Sequence, residues 1–204
     1  MKILSTDIFM FKIPMTPFTI ATGTMEYAQN IVIKIHTDEG IIGWGECSAF
    51  PMIVGETQLS CYQIAKDFAS FWKGKNPLAI SERLQELDSI IAGNYTAKSA
   101  FDLALYDIAA KAANQPLYAF LGGKSIPIET DLTIGIDTPE NMAKDAIDFV
   151  QQGVNIIKVK LGKDPEQDVV RIKKIREAIG YQTKIRIDAN QGWDKDVALQ
   201  VLQA

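Results

Sequence analysis

The sequence predicts an N-terminal α+β capping domain over residues 1–124, followed over residues 125–204 by the first three β/α units of a TIM-type barrel, which is thereby incomplete. Three observations carry this. Strand-like segments come first and helical ones second up to Gly122-Gly123, after which strand and helix alternate with short links, the pattern of parallel βαβ units. The alternating part holds three units where a closed barrel needs about eight. The last helical stretch, Asp194 to Ala204, has no C-cap signal, so the expectation is a barrel truncated within the chain.

The elements follow in order. Ile3 to Pro14 alternates loosely and suits an edge strand; Thr16 to Met25, rich in Thr, Pro and Gly, reads as a loop. Asn30–His36 and Ile41–Cys47 read as strands joined by Thr37-Asp38-Glu39-Gly40, a link that fits a hairpin. Ser48 to Gly55 reads as a second loop with apolar residues Phe50, Met52, Ile53 and Val54. Three helices are expected, from Glu56-Thr57 to about Trp72, from Ala79 to Ile91 behind Pro77, and from Thr96 to Ala113, where Ala100, Leu103, Ala104 and Ile108 recur at helical spacing. Asn114-Gln115-Pro116 ends the third, and Leu117–Leu121 adds one turn. In the second half, strands are expected at Thr130–Gly135, Asn155–Leu161 and Lys184–Ala189. Helices are expected from Pro139 to Gln152, with Asp137 or Thr138 as N-cap, and from Pro165 to Ile179, stopped by Gly180.

Composition narrows the function. Hydrophobic residues make up 47% and charged ones 23% of the 204 residues, ordinary values for a globular protein. A formal net charge of −4 speaks against nucleic acid as the main partner, since phosphate backbones are bound by basic surface. No apolar run reaches the roughly 18 residues of a membrane helix, and Met1–Asp7 lacks the apolar core of a signal peptide. Cys47 and Cys61 make no metal or redox spacing. The default class is a cytoplasmic enzyme with a small-molecule substrate and neither nucleic acid nor membrane as partner.

The chemistry is concentrated in two strands. Side chains alternate between faces along a strand, so Lys158 and Lys160 share one face of Ile156–Leu161, and Arg186, Asp188 and Asn190 share one face of the next strand. Strands inside βαβ arrays are normally buried, and two ammoniums and a carboxylate in such a place are costly unless chemistry requires them. Other polar features have plainer readings. His36, the single histidine, lies in an outer strand; Asn190 and Arg186 fill the barrel interior; Gly122-Gly123 is a turn without the Lys-Ser/Thr of a phosphate loop.

Lys158-Val159-Lys160 on the second barrel strand, Asp188-Ala189-Asn190 on the third, Gly43-Trp44-Gly45-Glu46, Ala100–Ala112, and Leu121-Gly122-Gly123 together resemble the enolase superfamily, and within it the muconate lactonizing enzyme subgroup. The resemblance covers nearly the whole chain. The Thr-Gly-Thr segment at residues 22–24, Gly45-Glu46-Cys47-Ser48 and Val54-Gly55-Glu56-Thr57 are most similar to dipeptide epimerases, isomerases that invert an amino-acid α-carbon in L-Ala-D/L-Xaa dipeptides. What the resemblance implies can be placed by residue. Lys160 is the general base for the α-proton, Lys158 contacts the substrate carboxylate and balances charge at Lys160, and Asp188 is a Mg²⁺ ligand. Thr133 contacts substrate, and the loops Pro17–Met25 and Phe50–Glu56 choose its side chain through Gly23, Thr24, Met52 and Ile53. Two further acidic ligands and an opposite-face lysine are expected outside these residues, so the 204 residues alone are expected to be poor at catalysis. Ala21–Met25 contains no arginine to meet a glutamate side chain, which leaves small, apolar or other dipeptides open. An o-succinylbenzoate synthase or muconate-type cycloisomerase is the alternative within the superfamily, and a non-catalytic folded fragment the alternative outside it; a homo-oligomer of the longer protein is left open.

Physical chemistry asks for the same residues. An amino-acid α-proton is weakly acidic, and the enediolate left behind needs the charge stabilisation that enolase-type sites draw from Mg²⁺. A lysine at its reference pKa of about 10.4 is neutral only about four times in ten thousand at pH 7. A second ammonium two residues along the same face, a nearby metal and desolvation each favour the neutral amine.

Overall fold

Two features of the first sheet decide how its helices pack: β2 carries its apolar residues at every second position, and β3 carries glycines where a helix must come close. The computed structural model describes residues 1–204. β1 (Ile3–Ile20), β2 (Gly23–Thr37) and β3 (Ile42–Ala49) form one sheet in the order β1-β2-β3. β2 and β3 pair antiparallel, with Ile33 opposite Gly45 and Ile35 opposite Gly43. Ile31, Ile33 and Ile35 are buried on one face, with Cys47 and Ala49 of β3.

Five helices follow, α1 (Pro51–Val54), α2 (Gln58–Trp72), α3 (Ile80–Ile90), α4 (Tyr95–Ala112) and α5 (Leu117–Phe120), of which α2, α3 and α4 share one apolar cluster with that face. α4 lies hardest against the sheet. A Cβ at Gly45 would run into the carbonyl of Ala100, and one at Gly43 into the carbonyl of Ala104 and the side chain of Ile108. The small residues of α4 and the bare backbone of β3 therefore bring helix and strand together. Phe101, on the same helix, meets Phe68 and Trp72 of α2 edge to face, with ring centroids 5.5 and 5.1 Å apart, within the favoured range for aromatic pairs. Thr57 caps α2 by accepting from the Ser60 N–H while the Ser60 hydroxyl accepts from the Thr57 N–H.

The second sheet is parallel, in the order β4 (Leu132–Ile134), β5 (Ile156–Lys160), β6 (Lys184–Asp188). Its strands alternate with α6 (Pro139–Gln151), α7 (Pro165–Ile179) and α8 (Lys195–Gln203). Thr138, Asp164 and Asp194 cap these three helices by accepting first-turn N–H groups. Ile134, Ile157 and Val159 on one face of the sheet join Met142, Ala146 and Ile175 of the helices in a single apolar cluster. The other face is left for polar residues.

The chain packs as two units: Met1–Pro14 with Tyr27–Ile126, and Met15–Glu26 with Pro127–Ala204. We retain residues 1–124 and 125–204 as the proposed domain division; by packing, however, the hairpin tip Met15–Glu26 groups with the second unit. Two loop expectations are corrected. Thr16–Met25 is not a loop: β1 runs on to Ile20 and β2 starts at Gly23. Pro14 and Pro17 are tolerated because β1 is an edge strand and both are exposed, so a missing N–H breaks no ladder. Within Ser48–Gly55, Pro51–Val54 forms a single helical turn, with proline in its first turn and Gly55 ending it at φ 72°, the left-handed cap that glycine takes without penalty.

The approach of α4 to β3 yields a first prediction. Gly45→Ala places a methyl against the Ala100 carbonyl and is expected to cost about 3 kcal/mol or more, the upper end of overpacking effects. Urea unfolding followed by circular dichroism checks it, and an unchanged midpoint would refute the packing account.

Candidate functional site

The site is built by register. In the parallel ladder Lys158 stands opposite Thr133 of β4 and Arg186 of β6, and Lys160 stands opposite Asp188. Because Ile157 and Val159 fill the apolar cluster on the helix side, the intervening residues must face the other way. Thr133, Lys158, Lys160 and Asp188 are thereby gathered on one face, at or near the C-terminal ends of their strands, which is where β/α-barrel enzymes place their chemistry.

The three charged groups converge on one oxygen. Lys160 donates to Asp188 Oδ2 at 2.7 Å and Lys158 lies 2.9 Å from the same atom. Asp188 Oδ1 accepts the Asn190 N–H at 2.9 Å. Lys160 is the more enclosed lysine, its side chain 10% exposed against 28% for Lys158. The hydrogen bond from Lys160 is the largest influence holding the Asp188 carboxyl well below the usual carboxylate range; Lys158 and the Asn190 N–H add to it, and burial opposes it. Lys158 is raised above the ordinary lysine value, chiefly by its bond to Asp188. For Lys158 the shared carboxylate thus outweighs burial.

The loops that follow these strands are locked together. A Cβ at Gly162, after β5, would strike the Ala189 carbonyl, and a Cβ at Gly192, after β6, would strike the Gly162 carbonyl. Gly162 sits at φ 105°, and Asn190 and Gln191 are left-handed at φ 47° and 65°, a conformation that costs non-glycine residues energy and persists where surroundings enforce it. The Asn190 Oδ1 is buried without a hydrogen-bond partner. Beneath the loops, the fully buried Asp168 of α7 accepts from the Gly162 N–H at 2.8 Å, from the Trp193 Nε1–H at 3.0 Å and from Arg171 Nη1 at 2.8 Å. Arg171 in turn donates through Nε to the Asp137 carbonyl at 2.9 Å.

The hairpin tip completes the second unit. The Ile136 N–H donates to the Thr19 carbonyl at 2.8 Å, Ala21 lies against the backbone of Gly162, and the Thr19 and Thr24 hydroxyls share a 2.9 Å hydrogen bond. Gly23 and Thr24 thus belong to a tip seated on the loops after β4 and β5. Met52 and Ile53 are half-exposed on α1, in the first unit. Arg186 is largely exposed and paired with Asp131 at 2.5 Å. His36 bonds Asp7 at 2.8 Å in the outer sheet. Nothing in the sequence singled out Asp168 and Arg171, which stand among the other charged residues of α7, Glu166, Lys173 and Lys174.

Family models place the rest. The chain matches "Mandelate racemase / muconate lactonizing enzyme, N-terminal domain" over residues 4–122 and "Enolase C-terminal domain-like" over residues 141–204. It is 45% identical over 201 residues to a D-Ala-D/L-Ala epimerase of Cytophaga hutchinsonii, an alignment covering 97% of this chain and 55% of that protein. It is 39% identical to a hydrophobic dipeptide epimerase of Enterococcus faecalis, covering 100% and 58%. The crystal structure of a dipeptide epimerase from C. hutchinsonii complexed with Mg and D-Ala-L-Val superposes with a TM-score of 0.97 at 43% identity, over 100% of this chain and 56% of that one. The chain therefore spans little more than half the length of these relatives.

Titration tests the charge cluster. Asp188, with a folded-state pKa below its unfolded value of about 4, contributes stability that is complete above that pH and is lost as the pH falls towards the lower folded value. Lys158, raised when folded, contributes stability complete below about pH 10.4 and lost as the pH rises beyond it. Without divalent cation, Asp188→Asn is expected to flatten the acid limb of the stability profile, read from urea midpoints between about pH 2 and pH 7; coincident acid limbs for wild type and variant would overturn the assignment. Matched by its sequence over both domain models and seated on the same backbone as those solved enzymes, the chain belongs to the mandelate racemase/muconate lactonizing enzyme family.

Proposed function

We propose that the whole protein is a Mg²⁺-dependent dipeptide epimerase, an isomerase that removes and returns the α-proton of the C-terminal residue. The observation that carries this reading is the convergence of Lys158, Lys160 and Asp188 on one oxygen at the ends of β5 and β6, in a chain 45% identical to a D-Ala-D/L-Ala epimerase. Lys160, enclosed and aimed at the face the substrate occupies, takes the α-proton in its neutral form, and the electron pair left behind moves into the substrate carboxylate. Lys158, more open, meets that carboxylate as an ammonium. Return of a proton from the opposite side requires a second acid, which we place outside these residues.

The residues present fit a hard divalent cation in kind. Asp188 is an oxygen donor kept ionised far below neutrality, which Mg²⁺ prefers, and it would hold one position of the shell. No group of three or more His, Cys, Asp or Glu residues is gathered here, and we place further ligands outside these residues. When bound, the cation supplies positive charge to the substrate carboxylate as the proton leaves.

For the substrate we favour Ala-Xaa dipeptides with small or apolar Xaa. The hairpin tip at residues 21–25 offers no cation to a glutamate side chain, and the relatives above are described as acting on Ala-Ala and on hydrophobic dipeptides. Gly23, Thr24 and Thr133 would line the path to Xaa. No helix is long and apolar enough to cross a membrane, and we place the protein in the cytoplasm with neither nucleic acid nor membrane as partner.

The test is α-deuterium incorporation by the full-length protein in D₂O with Mg²⁺ and a panel of Ala-Xaa dipeptides, followed by NMR. Wild type is expected to label the C-terminal α-position. Lys160→Ala is expected to lower the rate by at least about 10³-fold, the order seen when a proton-transfer group is lost, and chelation with EDTA to abolish exchange. Labelling of no dipeptide removes the epimerase assignment and directs the search to o-succinylbenzoate-type carbon acids.

A further inference from the structure

We propose that Asp168 is a positioning residue for the reaction, a buried brace that fixes the three strand-end loops on which Thr133, Lys160 and Asp188 depend. This rests on the roles of Lys160 and Asp188 proposed above. Asp168 is 0% exposed, on the buried side of α7. A carboxylate in that position is costly unless it is paired and hydrogen-bonded, and each of its side-chain partners reaches out towards the active end of the sheet. Oδ2 accepts the Gly162 N–H, two residues beyond Lys160, and the Trp193 indole N–H, five residues beyond Asp188. Oδ1 takes Arg171, whose side chain is 12% exposed and whose Nε holds the Asp137 carbonyl, four residues beyond Thr133. One carboxylate and one guanidinium thus tie the loops after β4, β5 and β6 to the same helix.

The arrangement exceeds what anchoring α7 requires, since Ile175 already fixes the helix in the apolar cluster. It fixes the loops that continue from the ends of β5 and β6, whose own spacing is set by the ladder and by the Leu161 N–H donating to the Asp188 carbonyl at 3.0 Å. That spacing sets the distance from Lys160 Nζ to Asp188, 2.7 Å here. The interlocked glycines, Gly162 and Gly192, bring the two loops into backbone contact, and the hydrogen bonds to Asp168 anchor that contact to α7. Displacing a catalytic group by about 1 Å costs on the order of 10²-fold in rate.

The full-length enzyme with Mg²⁺ tests this, using a dipeptide that wild type labels. Asp168→Ala is expected to lower kcat by about 10²-fold with KM changed by less than about threefold. Asp168→Asn, whose amide oxygen can still accept from Gly162 and Trp193, is expected to recover most of that loss. Trp193→Phe, which deletes one donor, is expected to lower kcat by about tenfold at unchanged KM. Ile175→Ala, on the same helix and without a loop partner, controls for lost stability and is expected to keep kcat within about twofold. The proposal is overturned if Asp168→Ala loses no more kcat than Ile175→Ala at a temperature where both are folded, or if the loss falls on KM. Should Asp168→Ala not fold, unchanged kcat in both Asp168→Asn and Trp193→Phe overturns it equally. Amide hydrogen exchange separates this result from the function itself. If wild type labels no dipeptide, the functional reading fails, and the brace stands only if residues 162–164 and 189–193 exchange faster in the Asp168 variants than in Ile175→Ala.

Discussion

Everything distinctive in the second unit depends on the register of β5 against β6. Parallel pairing sets Lys160 opposite Asp188 and Ile157 opposite Ile185. Because side chains alternate, a slip of one residue would exchange the two faces. Lys158 and Lys160 would then enter the cluster now made by Ile157, Val159, Met142 and Ile175, while the apolar residues would line the reacting face. The apolar cluster and the charged face therefore enforce one another, and the energy that fixes the site is the ordinary energy of burying isoleucine and valine.

That mutual dependence explains why the shared face of Lys158, Lys160 and Asp188 was readable in the sequence. Lys158 and Lys160, separated by Val159 and flanked by Ile157 and Leu161, fall on one face once the segment is a buried strand, and the same alternation puts Asp188 on one face of the next. Helices α4, α6 and α7 were legible because their caps and periodicities are local: Thr138 before Pro139, Gly180 after Ile179, alanines at helical spacing on α4. What could not be read was decided by distant partners. Thr16–Met25 has the composition of a loop and becomes strand because a hairpin can carry prolines on its outer edge. Asp168 and Arg171 have the spacing of an exposed ion pair on a helix and become buried because loops after three strands close over them. No property of the segment 165–179 alone distinguishes these two outcomes.

The electrostatics of the charged face was only half legible. Two lysines on one face suggest mutual repulsion and easier loss of a proton, yet Lys158 moves the other way, because Asp188 stands 2.9 Å from it and belongs equally to Lys160. Two ammoniums on one carboxylate leave a net positive charge in a partly enclosed place, and the carboxylate is held ionised by both. Pairing of this kind stabilises the resting arrangement at the expense of basicity, since an ammonium bonded to a carboxylate is the form that does not accept a proton. Under the function proposed above, a lysine here would act as a base only once the charge of Asp188 is directed elsewhere. Under that same proposal, the carboxylate that holds the two lysines together is also the one that would hold a divalent cation. That double use would call for the ends of β5 and β6 to keep a constant distance while the charges between them are rearranged. Loops joined through backbone glycines and a buried carboxylate meet that demand better than flexible side chains on the open face could.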